Sequence, residues 1–239
     1  MDKATKNSDA WWRNPCRLSP SLICLDLCNL ESDVRVMEQS GIGQIHVDIL
    51  DGHFSPSMPL GLDTVRQLRA KTDLPFECHI MTTANEYFVD ELLDIGVQQI
   101  VFHAETEPHI DGMLKRIRAQ GVRAGLALKP ATDLSCLTYA LDLCDSVLLM
   151  LINPGYAFMK GEKQVAYAED KIQDLRKMID ARGLATEIAL DGRIAPADIA
   201  RYGAGMVDSF VVGSTCLRRG QLQESLAELQ TLRRKTLGI

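Results

Sequence analysis

Eight short apolar runs, each followed by a longer segment with helical spacing, constrain this chain more than any other feature. They are LSPSLICL, GQIHVDI, LPFECHIM, VQQIVFHA, VRAGLAL, SVLLMLI, TEIALDG and SFVVGS. Their brevity and their Val, Ile and Leu content describe strands covered on both faces, as in a parallel sheet. Intervening segments such as LESDVRVMEQSG and DGMLKRIRAQG carry apolar residues three and four apart and finish on glycine, a common helix stop. Gly41, Gly96, Gly121, Gly183 and Gly203 repeat that stop. Alternating strand and helix requires a parallel sheet with right-handed crossovers. Eight strand–helix units favour an α/β chain closed into a (β/α)8 TIM barrel over an open doubly wound sheet, and 239 residues suffice for one such barrel. Residues 1–17 lack periodicity and are expected to form a short N-terminal extension, with residues 18–239 as the single barrel domain. Trp11 and Trp12 are the extension's apolar anchor, either capping one end of the domain or contacting a partner.

With 46% apolar and 24% charged residues and a net charge of -6, the composition is that of a soluble globular protein. It offers no basic stripe for nucleic acid. No apolar run approaches the ~20 residues that cross a bilayer, so no membrane partner is expected. Seven cysteines, an odd number without a CxxC pair, and no secretory apolar segment point to reduced thiols and a cytoplasmic location.

Residues at the carboxyl ends of the strands line the reactive face of such a fold. His46 and Asp48 end the second run two residues apart, so they share a side of the strand. His79 ends the third run and Asp191 the seventh. Any one of these reads equally as a hydrogen-bonded structural residue, but four at one rim favour a metal. Two imidazoles and two carboxylates suit one divalent cation of zinc, manganese or iron. Two carboxylates buried together without a cation would cost several kcal/mol, roughly the penalty of an unpaired buried ion. Gly192 and the pair Gly213-Ser214 follow the last two strands, where backbone N–H groups can approach an anion such as phosphate. His103 and Glu105 read equally as pocket lining or as hydrogen-bonding partners of neighbouring loops. His53 could order the loop after the second strand, and His109 reads as a surface residue. Lys129 is either an imine-forming or, more simply, a salt-bridged lysine.

The run HVDILDGHFSP, the later CHIM, NPG at 153–155, LDG at 190–192 and the closing VGS resemble, in order, the ribulose-phosphate 3-epimerase family. The resemblance runs from about Leu18 to Leu217. It implies that His46, Asp48, His79 and Asp191 hold the metal and that Asp48 and Asp191 are also the acid and base. It implies that Ser21 touches substrate, that Met81 and Met150 sit by the reacting carbons, and that His79, Gly155, Gly192, Gly213 and Ser214 belong to the same site. The implied reaction is epimerisation at carbon 3 of a ketose phosphate through an enediolate. Ribulose 5-phosphate and a hexulose 6-phosphate such as allulose 6-phosphate are the expected substrates, and a homo-oligomer the expected assembly. A metal-dependent aldolase or decarboxylase, or a non-catalytic sugar-phosphate sensor, are the alternatives.

The chain departs from the family pattern on the substrate side. The sixth-strand loop reads NPGYAFMKGE, with Ala157, Phe158 and Met159 where the family has glycines. Arg193 replaces a glycine after Asp191, Leu50 a methionine and Ser57 an asparagine. Retained metal ligands with an altered rim imply retained chemistry on a changed substrate. Arg193 is expected either to reach the phosphate with its guanidinium fork or to turn outward to an acid on a neighbouring helix.

Overall fold

The computed structural model describes residues 11–157 and 159–239. Residues 1–10 of the expected extension, and Phe158 of the altered loop, lie outside the described residues. Each of the eight apolar runs forms a strand: β1 Arg17–Pro20, β2 Ile45–Leu50, β3 Phe76–Met81, β4 Gln99–His103, β5 Arg123–Leu128, β6 Ser146–Met150, β7 Glu187–Asp191 and β8 Ser209–Val212. All neighbouring pairs are parallel, in the order β1-β8-β7-β6-β5-β4-β3-β2. A single bridge between Ser21 and His46 joins the two ends, so the sheet is a nearly closed (β/α)8 barrel.

Among the described residues seven helices surround it: α1 Leu30–Gln39, α2 Leu62–Arg69, α3 Asn85–Ile95, α4 Ile110–Ala119, α5 Ala168–Ala181, α6 Pro196–Tyr202 and α7 Leu222–Leu237. They bury apolar stripes such as Val89, Leu92 and Ile95 on α3 against the outward side chains of the strands. The eighth expected helix is absent among the described residues. Between β5 and β6 the chain makes two short 3-10 turns, Leu134–Leu137 and Leu141–Leu143. The first is started by Asp133, whose side chain accepts from the Ser135 N–H at 2.7 Å. One helix stop also differs from expectation. Gly203 has φ -72°, and glycine is needed there for space, because a Cβ would lie 2.6 Å from Cys16 Sγ and 2.7 Å from the Ile199 carbonyl oxygen.

The barrel interior is layered by strand alternation. Its floor is charged: Arg17 and Arg123 both donate to Glu187, at 2.8 and 2.6 Å, while Gln99 donates to Glu77 and Gln44 to Ser209. Burial outweighs both guanidiniums at Glu187 and raises its pKa. The chain before β1 turns under this floor, with the Trp12 ring against the Arg123 guanidinium at 4.4 Å and Trp11 against Arg17 at 5.8 Å. The tryptophans therefore cover the amino end of the barrel. Above the floor, Val101, Leu148, Ala189 and Val211 form an apolar layer, and above that lies the rim. Among the described residues no helix is long and apolar enough to cross a membrane.

Candidate active site

Side chains two apart on one strand share a face, and β2 with the residue before it follows this rule. Gln44 enters the floor, His46 the level above it, and Asp48 the rim. His79 comes in from β3, paired in register with Asp48, and Asp191 ends β7. One ligand atom from each of His46, Asp48, His79 and Asp191 lies within 4.8 Å of all the others. His46 Nε2 is 3.2 Å from Asp48 Oδ1 and 3.8 Å from Asp191 Oδ2, and His79 Nδ1 is 3.6 Å from both carboxylates. These two ring nitrogens are buried without a hydrogen-bond partner. Buried polar atoms are rarely left so. Two imidazole nitrogens and two carboxylates converging on one point, with the nitrogens unsatisfied, fit a divalent transition-metal ion.

Electrostatics favours the charged forms of His46, His79 and Asp48 when no cation compensates. Burial disfavours a charged His46 ring, but Asp48 and Glu77 outweigh it and raise its pKa well above the ordinary value. His79 is raised in the same way against burial, by Asp191 and Asp48. Burial also opposes ionisation of Asp48, yet His46 and His79 hold its carboxyl well below the usual carboxylate range. Ser21 adds a hydroxyl donor to Asp48 Oδ2 at 2.6 Å. Behind the site, His46 Nδ1 meets Glu77 Oε1 at 2.9 Å. On the other side, His79 Nε2 meets His103 Nε2 at 2.9 Å. Burial lowers the His103 pKa to about 4. Burial disfavours ionised Glu105 too, but His103, Thr132 and the Lys129 N–H outweigh it and bring Glu105 down to about 2.

A cleft of about 640 Å3, open solvent included, lies above the carboxylates. Ser21, Met81, Met150, Gly155, Gly192, Arg193, Gly213 and Ser214 all line it, together with Asp48 and Asp191. His46 and His79 lie beneath it, fully buried. The substituted positions Leu50, Ser57 and Ala157 are on its wall. Gly192 has φ +115°, and a Cβ there would sit 2.8 Å from the Ile152 backbone nitrogen, so only glycine serves.

Arg193 does neither of the things expected of it in full. It is not turned to an acid on a helix. Its Nη2 donates to the carbonyls of Ala157 at 2.9 Å and Met159 at 3.1 Å, while its Nε is buried without a partner. It thus fastens the altered β6 loop to the end of β7, and its backbone takes φ +51° to do so. Lys129 does not line the cleft. Its Nζ stands 4.0 Å from the centre of the Phe54 ring, where a carboxylate partner was expected. His109 is exposed, at the start of α4.

Two residues escaped the sequence reading. Asp51, in the same motif as His53, is what orders the β2 loop: it accepts from the N–H groups of His53, Phe54 and Thr83, all at 2.8 Å. A DG pair beside a strand end is a signal for such a turn. Gln164 donates at 3.1 Å to the carbonyls of Gly192 and Arg193 and to Asp198, tying the β6 loop to α6. Nothing in its polar surroundings announces that role.

The sequence profile of the ribulose-phosphate 3 epimerase family matches residues 17–217. A chloroplastic ribulose-5-phosphate-3-epimerase of Arabidopsis thaliana is 31% identical over 234 residues, covering 97% of this chain and 82% of that protein. The ribulose-phosphate 3-epimerase of Treponema pallidum (strain Nichols) is 34% identical over 177 residues, 74% of this chain and 80% of the relative. That of Escherichia coli (strain K12) is 29% identical over 215 residues, 90% and 94% of the two chains. Among solved structures, KGPDC from Streptococcus mutans superposes with a TM-score of 0.69 at 10% identity, over 93% of this chain and 99% of that one. At that identity the likeness concerns the fold alone.

Proposed function

The chain belongs to the ribulose-phosphate 3-epimerase family, and from that premise we propose that it epimerises a ketose phosphate at carbon 3 with Asp48 and Asp191 as the proton-transferring pair. The observation that carries this reading is the meeting of two carboxylates, from strands separated by β1 and β8, at one point at the base of the cleft. Inverting a carbon beside a ketone requires a base on one side of a flattened intermediate and an acid on the other. Asp48, oriented by the Ser21 hydroxyl, suits the base. Asp191, at the open end of β7, suits the acid, and the roles exchange in the reverse direction.

A divalent ion of zinc, manganese or iron held by His46, Asp48, His79 and Asp191 would stabilise negative charge developing on the ketone oxygen. Met81 and Met150 present sulfur-bearing, water-excluding side chains to the reacting carbons. Gly155, Gly192, Gly213 and Ser214 line the cleft, and their backbone N–H groups would take the phosphate. Arg193, with its Nε unpaired and its fork on the β6 loop, adds a cation there. An arginine there fits a dianionic ligand better than a neutral sugar.

Leu50, Ser57 and Ala157 on the wall depart from the family pattern, so the substrate is a pentulose or a hexulose phosphate, and both belong in the test. No lysine is on the cleft wall among the described residues, which leaves the aldolase alternative without its usual amine. All seven cysteines are free, in keeping with a cytoplasmic site of action. A homo-oligomer completes the reading, tested by sedimentation.

The deciding experiment is incubation of metal-loaded protein with ribulose 5-phosphate and allulose 6-phosphate in deuterated water. Deuterium entering carbon 3 without loss of the carbon chain is the expected result. Cleavage of the sugar, or no exchange in any ketose phosphate of four to six carbons, would remove the proposal.

A further inference from the structure

Two side chains outside the cation site extend an unbroken hydrogen-bonded chain into it. His79 Nε2 lies 2.9 Å from His103 Nε2, and His103 Nδ1 lies 2.9 Å from Glu105 Oε2. Both rings are fully buried. The second Glu105 oxygen accepts from the Lys129 N–H at 2.7 Å and from the Thr132 hydroxyl. Phe54 packs against the His103 ring with centroids 4.7 Å apart, and the Lys129 ammonium stands on Phe54.

The order of protons along this chain follows from donor and acceptor chemistry. Two ring nitrogens can share a hydrogen bond only if one carries the proton and the other a lone pair. Glu105 receives a backbone N–H and so stands as an acceptor, which makes His103 Nδ1 the donor. With its Nδ1 directed to Glu105 as donor, His103 turns the lone pair of Nε2 toward His79. His79 Nε2 must then donate, and a neutral His79 is left with its lone pair on Nδ1. That is the nitrogen that faces Asp48 and Asp191 and has no other partner. The same logic operates independently on β2, where Glu77 takes the Nδ1 proton of His46 and leaves Nε2, the other unpartnered nitrogen, toward the same point.

The geometry points to His103 and Glu105 as positioning residues that hold His79 in the one tautomer able to ligate a divalent cation. This rests on the reading of the four-residue cluster as a metal centre, and it adds two residues that touch neither the cation nor the sugar. Partners of this kind set ligand orientation and basicity, and their loss typically costs about 10- to 100-fold in metal affinity or activity.

The test is Co(II) and Zn(II) affinity by chelator competition, with the visible Co(II) spectrum, for wild type, His103→Phe, His103→Gln and Glu105→Gln. His103→Phe removes the acceptor for His79 Nε2–H and should weaken binding by about 10- to 100-fold with an altered Co(II) spectrum. His103→Gln retains a carbonyl oxygen that can accept that proton and should recover most of the loss. Glu105→Gln can turn its amide N–H toward His103 Nδ1, reversing the proton order, and should weaken binding about tenfold. It also keeps the test open if the Phe variant fails to fold. Affinities and spectra unchanged in Glu105→Gln and His103→Phe, or His103→Gln no better than His103→Phe, would overturn the assignment while leaving the metal centre standing. A wild-type chain that takes up neither ion would remove the metal centre itself.

Discussion

The carboxylates and imidazoles at the rim are arranged so that each single change has a distinguishable cost. With Asp191 as one of the proposed proton-transferring pair, Asp191→Asn keeps shape but should lower kcat by about 100- to 10,000-fold, read by a coupled assay. Arg193 presents a different balance. A non-glycine residue at φ +51° is strained by about 1 kcal/mol or more, whereas glycine is not. Arg193→Gly should therefore leave thermal stability equal or slightly raised while releasing the Ala157 and Met159 carbonyls. The Michaelis constant for the phosphorylated sugar should rise roughly tenfold, the equivalent of about 1.4 kcal/mol of lost binding. Equal Michaelis constants for phosphorylated and free sugar in wild type and variant would dismiss Arg193 from the phosphate end.

Elements of secondary structure position these side chains through the two-residue alternation of strands, and the charged floor shows what that alternation demands. Arg17 of β1, Arg123 of β5 and Glu187 of β7 all point inward at one level, where they are largely shielded from solvent. Their attraction offsets part of the desolvation cost, and only while the set is complete. Glu187→Ala leaves two guanidiniums facing each other and should cost about 3–5 kcal/mol in urea unfolding. Arg17 and Glu77 also interact, so the floor reaches the rim through His46. Trp12→Ala exposes the Arg123 face and should lower stability by about 0.5–2 kcal/mol with the turnover number unchanged.

Over the whole molecule, proton and metal equilibria are linked. His46 and His79 have folded pKa values raised above the unfolded ones. Their contribution to the stability of the metal-free chain is full below about pH 6.5 and is lost as pH rises through the folded values. A bound cation needs both rings neutral and releases their protons, so its affinity rises over the same interval. The melting temperature of loaded protein minus that of chelated protein should grow from about pH 6 to about pH 8. Comparing the two forms cancels His103, whose value of about 4 works in the opposite sense in both. A difference that shrinks with pH would contradict a metal centre built on two imidazoles.

Sequence alone determined the strand set, because a strand covered on both faces has no choice but a continuous apolar run, and eight such runs leave little but a barrel. It also determined His46, Asp48, His79 and Asp191 as rim candidates, since strand ends and alternation are local properties. The missing helix after β5, the tie of Arg193 to two carbonyls and the roles of Asp51, Gln164, His103 and Glu105 were decided only by tertiary structure. Each of these depends on which backbone group or ring nitrogen a long-range partner presents. A hydrogen bond between residues 24 positions apart, such as that of His79 to His103, leaves no periodicity in the chain that makes it.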